Sequence, residues 1–173
     1  MSFKALEYGQ ASLYPYRRHS LPKQLDVNNI AASAVVIHYA NNITLRRVSA
    51  HTQSSAPASR TIIVWSATDV LLEDVAATAG AVLPILLFKG AEPTERVILR
   101  RVWGYSGTPG TANVFTVNGA SGNLLENVFA TMDPTNTSRT VGVAVGEADL
   151  VRQFGNVVTN VDNWAFQISR RWL

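Results

Sequence analysis

The tetrapeptide LRRV occurs at residues 45–48 and again at 99–102, and between the two copies, at 72–75, the same slot reads LEDV. Widening the slot to eight residues gives ITLRRVSA (43–50), VLLEDVAA (70–77), VILRRVWG (97–104) and NLLENVFA (123–130). A worn copy, NVVTNVDN (156–163), follows, and an earlier one, LDVNNIAA (25–32), precedes. The frame starts lie 18, 27, 27, 26 and 33 residues apart. A repeat of this length and irregularity is the mark of a solenoid whose loops vary while its rungs do not.

Within a rung the apolar residues alternate at Ile43 and Leu45, lose phase across Arg46 and Arg47, and resume at Val48 and Ala50. That reads as two short strands joined by a bend, and helical spacing does not fit. Most frames are preceded by a second apolar run: AVVIHY (34–39), TIIVW (61–65), ILLFK (85–89), VFTVN (114–118) and VGVAV (141–145). These runs are β-branched and aromatic, of strand length and bounded by turn formers, so each coil is expected to contribute about three short strands.

The motifs NNITLRRV, GNLLENV and GNVVTNV, with TDVLLEDV carrying Asp69 in the first Asn position, resemble the coil pattern of the right-handed parallel β-helix family, the pectate-lyase-like solenoids. The resemblance spans roughly residues 25–168 and implies a fold. A left-handed β-helix is the rival, because the spacing of 18 equals three hexapeptides; the spacings of 26 and 27 argue against it. The expectation is therefore an all-β chain, a right-handed parallel β-helix of about six coils over residues 25–173, with residues 1–24 as an N-terminal cap or arm. Phe3, Leu6 and Leu13 suggest a short capping helix, and the proline-bearing YPYRRHSLPK an extended crossing.

Stacked frames turn equivalent positions into columns. The inward columns are expected to run Val27, Leu45, Leu72, Leu99, Leu125, Val158 and Ile30, Val48, Val75, Val102, Val128, Val161, apolar throughout. Outward, one column reads Asn28, Arg46, Glu73, Arg100, Glu126, Thr159 and its neighbour Asn29, Arg47, Asp74, Arg101, Asn127, Asn160. Like charges on adjacent strands repel and opposite charges attract, so alternation reads as a device that sets coil register. The competing reading is an arginine-lined groove for an acidic glycan.

The chain has 173 residues, 47% apolar and 16% charged, with no cysteine, which suits one globular domain and removes disulfides and thiolate chemistry. No secretory leader or membrane-spanning run is read in it. The net charge of +3 gathers toward the ends, but no nucleic-acid-binding motif accompanies it, and nucleic acid ranks last among partners. His19, His38 and His51 lack metal-ligand spacing, so no metal or other cofactor is expected.

Acids outside the ladder, namely Asp69, Glu92, Glu95, Asp133, Glu147, Asp149 and Asp162, are dispersed over different coils and suggest no carboxylate dyad. The balance is against an enzyme. Loops at 51–60, 78–84, 104–112 and 131–140 are rich in Ser, Thr, Pro, Gly and Ala, and lie where solenoids place function. The position after the inward valine runs Ala31, Ser49, Ala76, Trp103, Phe129, Asp162. Trp103 and Phe129, with Tyr105 beside them and His51 opening a loop, are the candidate contacts for a glycan or a partner subunit.

The ending WAFQISRRWL brings no polar cap after the last frame, which fits either a piece of a longer solenoid or a last coil that meets another subunit; the expectation is self-association as a trimer or an end-to-end stack. The function expected is a non-catalytic structural or adhesive solenoid, such as a phage virion or tail part or a surface component, contacting glycans or partner subunits in an extracellular or virion-associated setting. The alternative, carried by resemblance and by basic residues such as Arg46, Arg100 and Arg152, is a polysaccharide lyase or glycoside hydrolase acting on an acidic polysaccharide.

Overall fold

The computed structural model describes residues 11–13, 25–29, 33–53, 60–80, 83–107, 113–135, 141–148, 150–161 and 164–169. These form the strands β1 (Ala11–Leu13), β2 (Leu25–Asn29), β3 (Val35–His38), β4 (Asn41–Thr52), β5 (Ile62–Trp65), β6 (Thr68–Ala79), β7 (Ile85–Phe88) and β8 (Glu95–Ser106). The later coils add β9 (Asn113–Asn118), β10 (Leu124–Glu126), β11 (Phe129–Met132), β12 (Val141–Gly146), β13 (Arg152–Phe154), β14 (Val157–Thr159) and β15 (Trp164–Ser169). One sheet runs β1-β3-β5-β7-β9-β12-β15; the other runs β2-β4-β6-β8-β10-β13, with β11 between β8 and β14. The pairing is parallel throughout, and the chain crosses from sheet to sheet between neighbouring strands. The molecule is a parallel β-solenoid of about four turns, fewer than the expected six.

The corners explain the shape. Among the described residues, all those with positive φ except Asn160 form three columns: Tyr39, Ser66, Gly119 and Glu147; Asn42, Asp69, Arg96, Gly122 and Leu150; and Arg47, Asp74, Arg101, Asn127 and Gly155. Each marks a left-handed step that turns the strand, a conformation that Gly, Asn and Asp adopt most readily. The second and third columns lie five residues apart on the chain. In β4, β6 and β8 the ladder continues through the bend; in the next coils it is interrupted, leaving β10 and β11, then β13 and β14, as separate strands.

Both end frames sit five residues from where the repeat puts them. Leu25 lies beside Val48 and Val27 beside Ala50, rather than Val27 beside Leu45. At the other end Gln153 continues the Leu125 position and Phe154 the Glu126 position, while Val158 and Thr159 lie beside Ala130 and Thr131. The cause is internal: each corner is followed by the same inward pair, Ile43 and Leu45 after Asn42, Val48 and Ala50 after Arg47. A shift of five therefore lays one half of the frame on the other, and a worn copy can be read either way. Ala11–Leu13 is also corrected: it is a strand beside Val35–Ile37, not the end of a capping helix. The rest of residues 1–24 lies outside the described residues.

Inside, columns of like residues stack: Leu45, Leu72, Leu99 and Leu125; Val48, Val75, Val102 and Val128; Ile37, Val64, Leu87, Val117 and Val145, all nearly fully buried. Each such side chain contributes roughly 1.5–3 kcal/mol. Buried Asn123 and half-buried Asn156 have one purpose. Asn123 Oδ1 accepts the Val97 N–H at 2.8 Å, and Asn156 Oδ1 the Val128 N–H at 3.0 Å, each satisfying the amide just after a corner one coil below. In the last described coil Trp164, Phe166 and Ile168 continue the inward columns of Val141, Val143 and Val145 and are 50%, 44% and 78% exposed. Among the described residues no helix is long and apolar enough to cross a membrane.

Outside, the charged columns pair across coils. Buried Glu73 receives Arg46 Nε at 2.5 Å, Arg101 Nη2 at 3.0 Å and Arg100 Nη1 at 3.7 Å, while Arg100 Nε reaches Glu126 at 2.7 Å. At the corners, Arg101 grips both oxygens of Asp74 (2.6 and 3.1 Å) and Arg96 both oxygens of Asp69 (2.7 and 2.9 Å). Asp69, expected to stand outside the ladder, thus belongs to a second set of rungs five residues earlier.

One prediction follows from the packing. Along the inward column Ala50, Ala77, Gly104, Ala130, the glycine coincides with Phe115, which replaces Ile62 and Ile85 in the facing column. A Cβ at Gly104 would lie 2.7 Å from Val114 and 2.8 Å from the Phe115 ring. Gly104→Ala is expected to lower stability by about 1–3 kcal/mol in chemical denaturation, and Phe115→Leu to recover part of that loss in the double variant. Strictly additive effects would contradict this packing.

A second concerns the corners. Asp69 and Asp74 titrate below the ordinary 3.8, chiefly through their hydrogen bonds from Arg96 and Arg101. A depressed carboxyl pKa adds stability above the unfolded value and withdraws it as pH falls toward the folded value. The Asp69→Asn/Asp74→Asn variant should melt below wild type at pH 7, with the gap closing as pH falls below 3.8 and shrinking in high salt. A gap independent of both would show that these pairs do not act through charge.

Candidate functional site

The outward residues beyond the Arg47 column form a face on β2, β4, β6, β8 and β11. One column runs Asp26, Ser49, Ala76, Trp103, Phe129, Val157; the next runs Asn28, His51, Thr78, Tyr105, Thr131, Thr159. Strand alternation fixes which residues point out, and the in-register stacking brings residues from separate coils together. The four candidate contacts, His51, Trp103, Tyr105 and Phe129, all belong to this face. Phe129 replaces Ala76 and Ser49 on the other side of Trp103.

Size sets the relief. Ser49 and Ala76 are small and Trp103 is large, so a trough of about 470 Å³ opens over the two small residues with the indole as one wall. Asp26 and Asn28 line it at the β2 side, His51 and Thr78 along its flank. His51 Nδ1 lies 2.5 Å from Thr78 Oγ1, which ties the imidazole to the neighbouring coil. Trp103 is 37% exposed and lies nearly parallel to the Tyr105 ring, at 12° and 6.0 Å between centroids.

Beyond Trp103 the face ends in a hydrogen-bonded group. Tyr105 Oη donates to Asp133 Oδ2 at 3.4 Å, while Asp133 Oδ1 accepts from Thr135 N at 2.8 Å and from Thr135 Oγ1 at 2.5 Å. The Thr135 bonds hold the Asp133 carboxyl below its usual range; burial, then Asp133, pushes the Tyr105 phenol up. The carboxylate stays ionised and the phenol stays a donor, so the ring that backs Trp103 is held at its hydroxyl end.

Asp26 and Asn28 cannot be seen as members of this face from the frames, because the five-residue slip assigns Ala31 to the position Asp26 occupies. Half of the variable loop residues, 54–59, 81–82, 108–112 and 136–140, lie outside the described residues, as do His19, Asp149 and Asp162. A second aromatic group stands on the other sheet. His38, Trp65 and Phe88 share an outward column beside Tyr39, with His38 edge-on to Trp65 at 4.3 Å and burial lowering its pKa. Its signal in the sequence is that each apolar run, VVIH, IIVW and ILLF, ends on a ring in the outward phase.

Of the carboxylates expected to be dispersed, Asp69 and Glu95 meet on one guanidinium. Glu95 joins Arg96 at 3.1 Å, Asp69 is taken by the same arginine, and Asp133 by Thr135 and Tyr105. Among the described residues no three His, Asp or Glu side chains come together as a metal site. The chain matches no protein-family model and no curated protein.

Proposed function

We propose that the protein is a non-catalytic, adhesive β-solenoid, a surface or virion component that contacts glycans through the trough beside Trp103. The observation that carries this reading is the trough itself: an exposed indole standing against a floor of Ser49 and Ala76, framed by the hydrogen-bonding groups of Asp26, Asn28, His51 and Thr78. A sugar ring offers apolar C–H faces and polar edges. An aromatic wall with a polar rim matches both, since the ring stacks while donors and acceptors fix orientation. The face is rigid, being built on strands rather than loops, which suits recognition without induced fit.

Two supports lie outside the trough. Arg46, Arg100 and Arg101 are engaged with Glu73, Asp74 and Glu126, which favours a structural role for the ladder over an arginine-lined groove or a lyase centre. The right-handed, pectate-lyase-like assignment enters this proposal as resemblance in the coil motifs. Association of copies belongs to the same reading and is supported by the exposure of Trp164, Phe166 and Ile168.

The test is a glycan array probed with the native protein and with Trp103→Ala. Native protein is expected to bind a subset of glycans, and Trp103→Ala to lose at least about tenfold in affinity, the loss of one stacking contact of about 1.4 kcal/mol. Equal signals from the two proteins would remove the trough as the contact. Mass in solution, measured on the same samples, reads the association; a monomer at high concentration would remove that part of the proposal.

A further inference from the structure

The trough also carries information about which sugars it takes, an inference that rests on the glycan reading above. Among the described residues that line it there is no lysine or arginine, and the one carboxylate is that of exposed Asp26. Of the nearest arginines in the strands, Arg46 and Arg100 stand across the corner column and are held by Glu73 and Glu126, while Arg47 and Arg101 occupy that column, Arg101 held by Asp74 and Arg47 within the field of the same carboxylate. In the sequence segments that follow the strands of this face, 80–84 and 107–112 contain no lysine or arginine, 53–60 contains Arg60 alone and 133–140 Arg139 alone. At the far end of the face stands another carboxylate, Asp133.

We infer that the trough selects neutral oligosaccharides and rejects those built from uronic acids. Recognition of a sugar carboxylate calls for a guanidinium or ammonium group, best as a bidentate arginine. Here a uronate would meet Asp26 instead, and like charges brought together in a partly desolvated site repel. The hydroxyls of a neutral sugar are donors, and Asp26, Asn28 and Thr78 supply acceptor oxygens for them. The trough crosses four neighbouring strands, about 14 Å at the usual strand spacing, which fits a short oligosaccharide rather than a single ring.

The experiment is titration calorimetry on the full chain with two sets of probes of equal length: cellohexaose, maltohexaose and N-acetylchitohexaose against hexagalacturonate and an alginate hexamer. Each is repeated with Trp103→Ala and with Asp26→Lys. The expected result is that at least one neutral hexamer binds, that both uronates bind at least tenfold more weakly, and that Asp26→Lys narrows or reverses that ratio. Uronate binding as tight as neutral binding, lost in Trp103→Ala, would overturn the selectivity while leaving the trough as a glycan site. No binding by either set, or binding that Trp103→Ala leaves intact, would overturn the glycan reading itself and this inference with it.

Discussion

Everything in this molecule depends on corners that stack. A parallel coil closes only if each turn bends at the same place as the turn beneath it, and here three columns of left-handed residues do that work. Half of these corner residues are the types that accept positive φ, such as Asn42, Asp69, Asp74, Asn127, Gly122 and Gly155. Arg47, Arg96 and Arg101 are not, and an arginine persists there only where its surroundings overdetermine the backbone. The hydrogen-bond ladder on both sides supplies part of that determination. The forked pairs of Arg96 with Asp69 and Arg101 with Asp74 supply more, each linking a corner to the equivalent corner one coil away.

The rest of the fold follows from that constraint. Once corners are in column, inward side chains of the same kind stack on one another, and departures must be matched across the interior. Phe115 and Gly104 are such a match, a large residue facing the loss of a methyl. Asn123 and Asn156 are another, placing a side-chain carbonyl where a corner leaves an amide without a ladder partner. On the outside the same stacking turns a sequence position into a surface. Asp26, Ser49, Ala76 and Trp103 lie far apart in the chain and adjacent in space, and the change from small to large along that column is what makes a trough.

How much of this is legible in the sequence depends on how well each coil keeps its two halves distinct. In the central coils LRRV, LEDV and LENV separate the halves by a charged or amide pair, and there the frames and the inward leucines read correctly. In LDVNNIAA and NVVTNVDN the marker pair is Asn-Asn or Thr-Asn, and the apolar pattern on one side repeats on the other after five residues. Nothing local separates the two registers; only pairing with the next coil does. The same slip hid Asp26 and Asn28 from the site while leaving Trp103, Tyr105, Phe129 and His51 in plain view. The rings of His38, Trp65 and Phe88 went unnoticed for a different reason, because at the end of an apolar run an outward aromatic looks like one more core residue.

The register of the first coil is therefore the point on which the site turns, and the absence of native cysteine makes it directly measurable. Neighbouring in-register positions on parallel strands lie within the Cα separation a disulfide spans. In the Asp26→Cys/Ser49→Cys variant, mild oxidation should join the two introduced cysteines within one chain in high yield, since these residues are partners on β2 and β4. The Ala31→Cys/Ser49→Cys variant, which the frame register would favour, should remain reduced or cross-link between molecules. The reverse outcome would contradict the account, for it would move Asp26 out of the column of Trp103 and dissolve the trough.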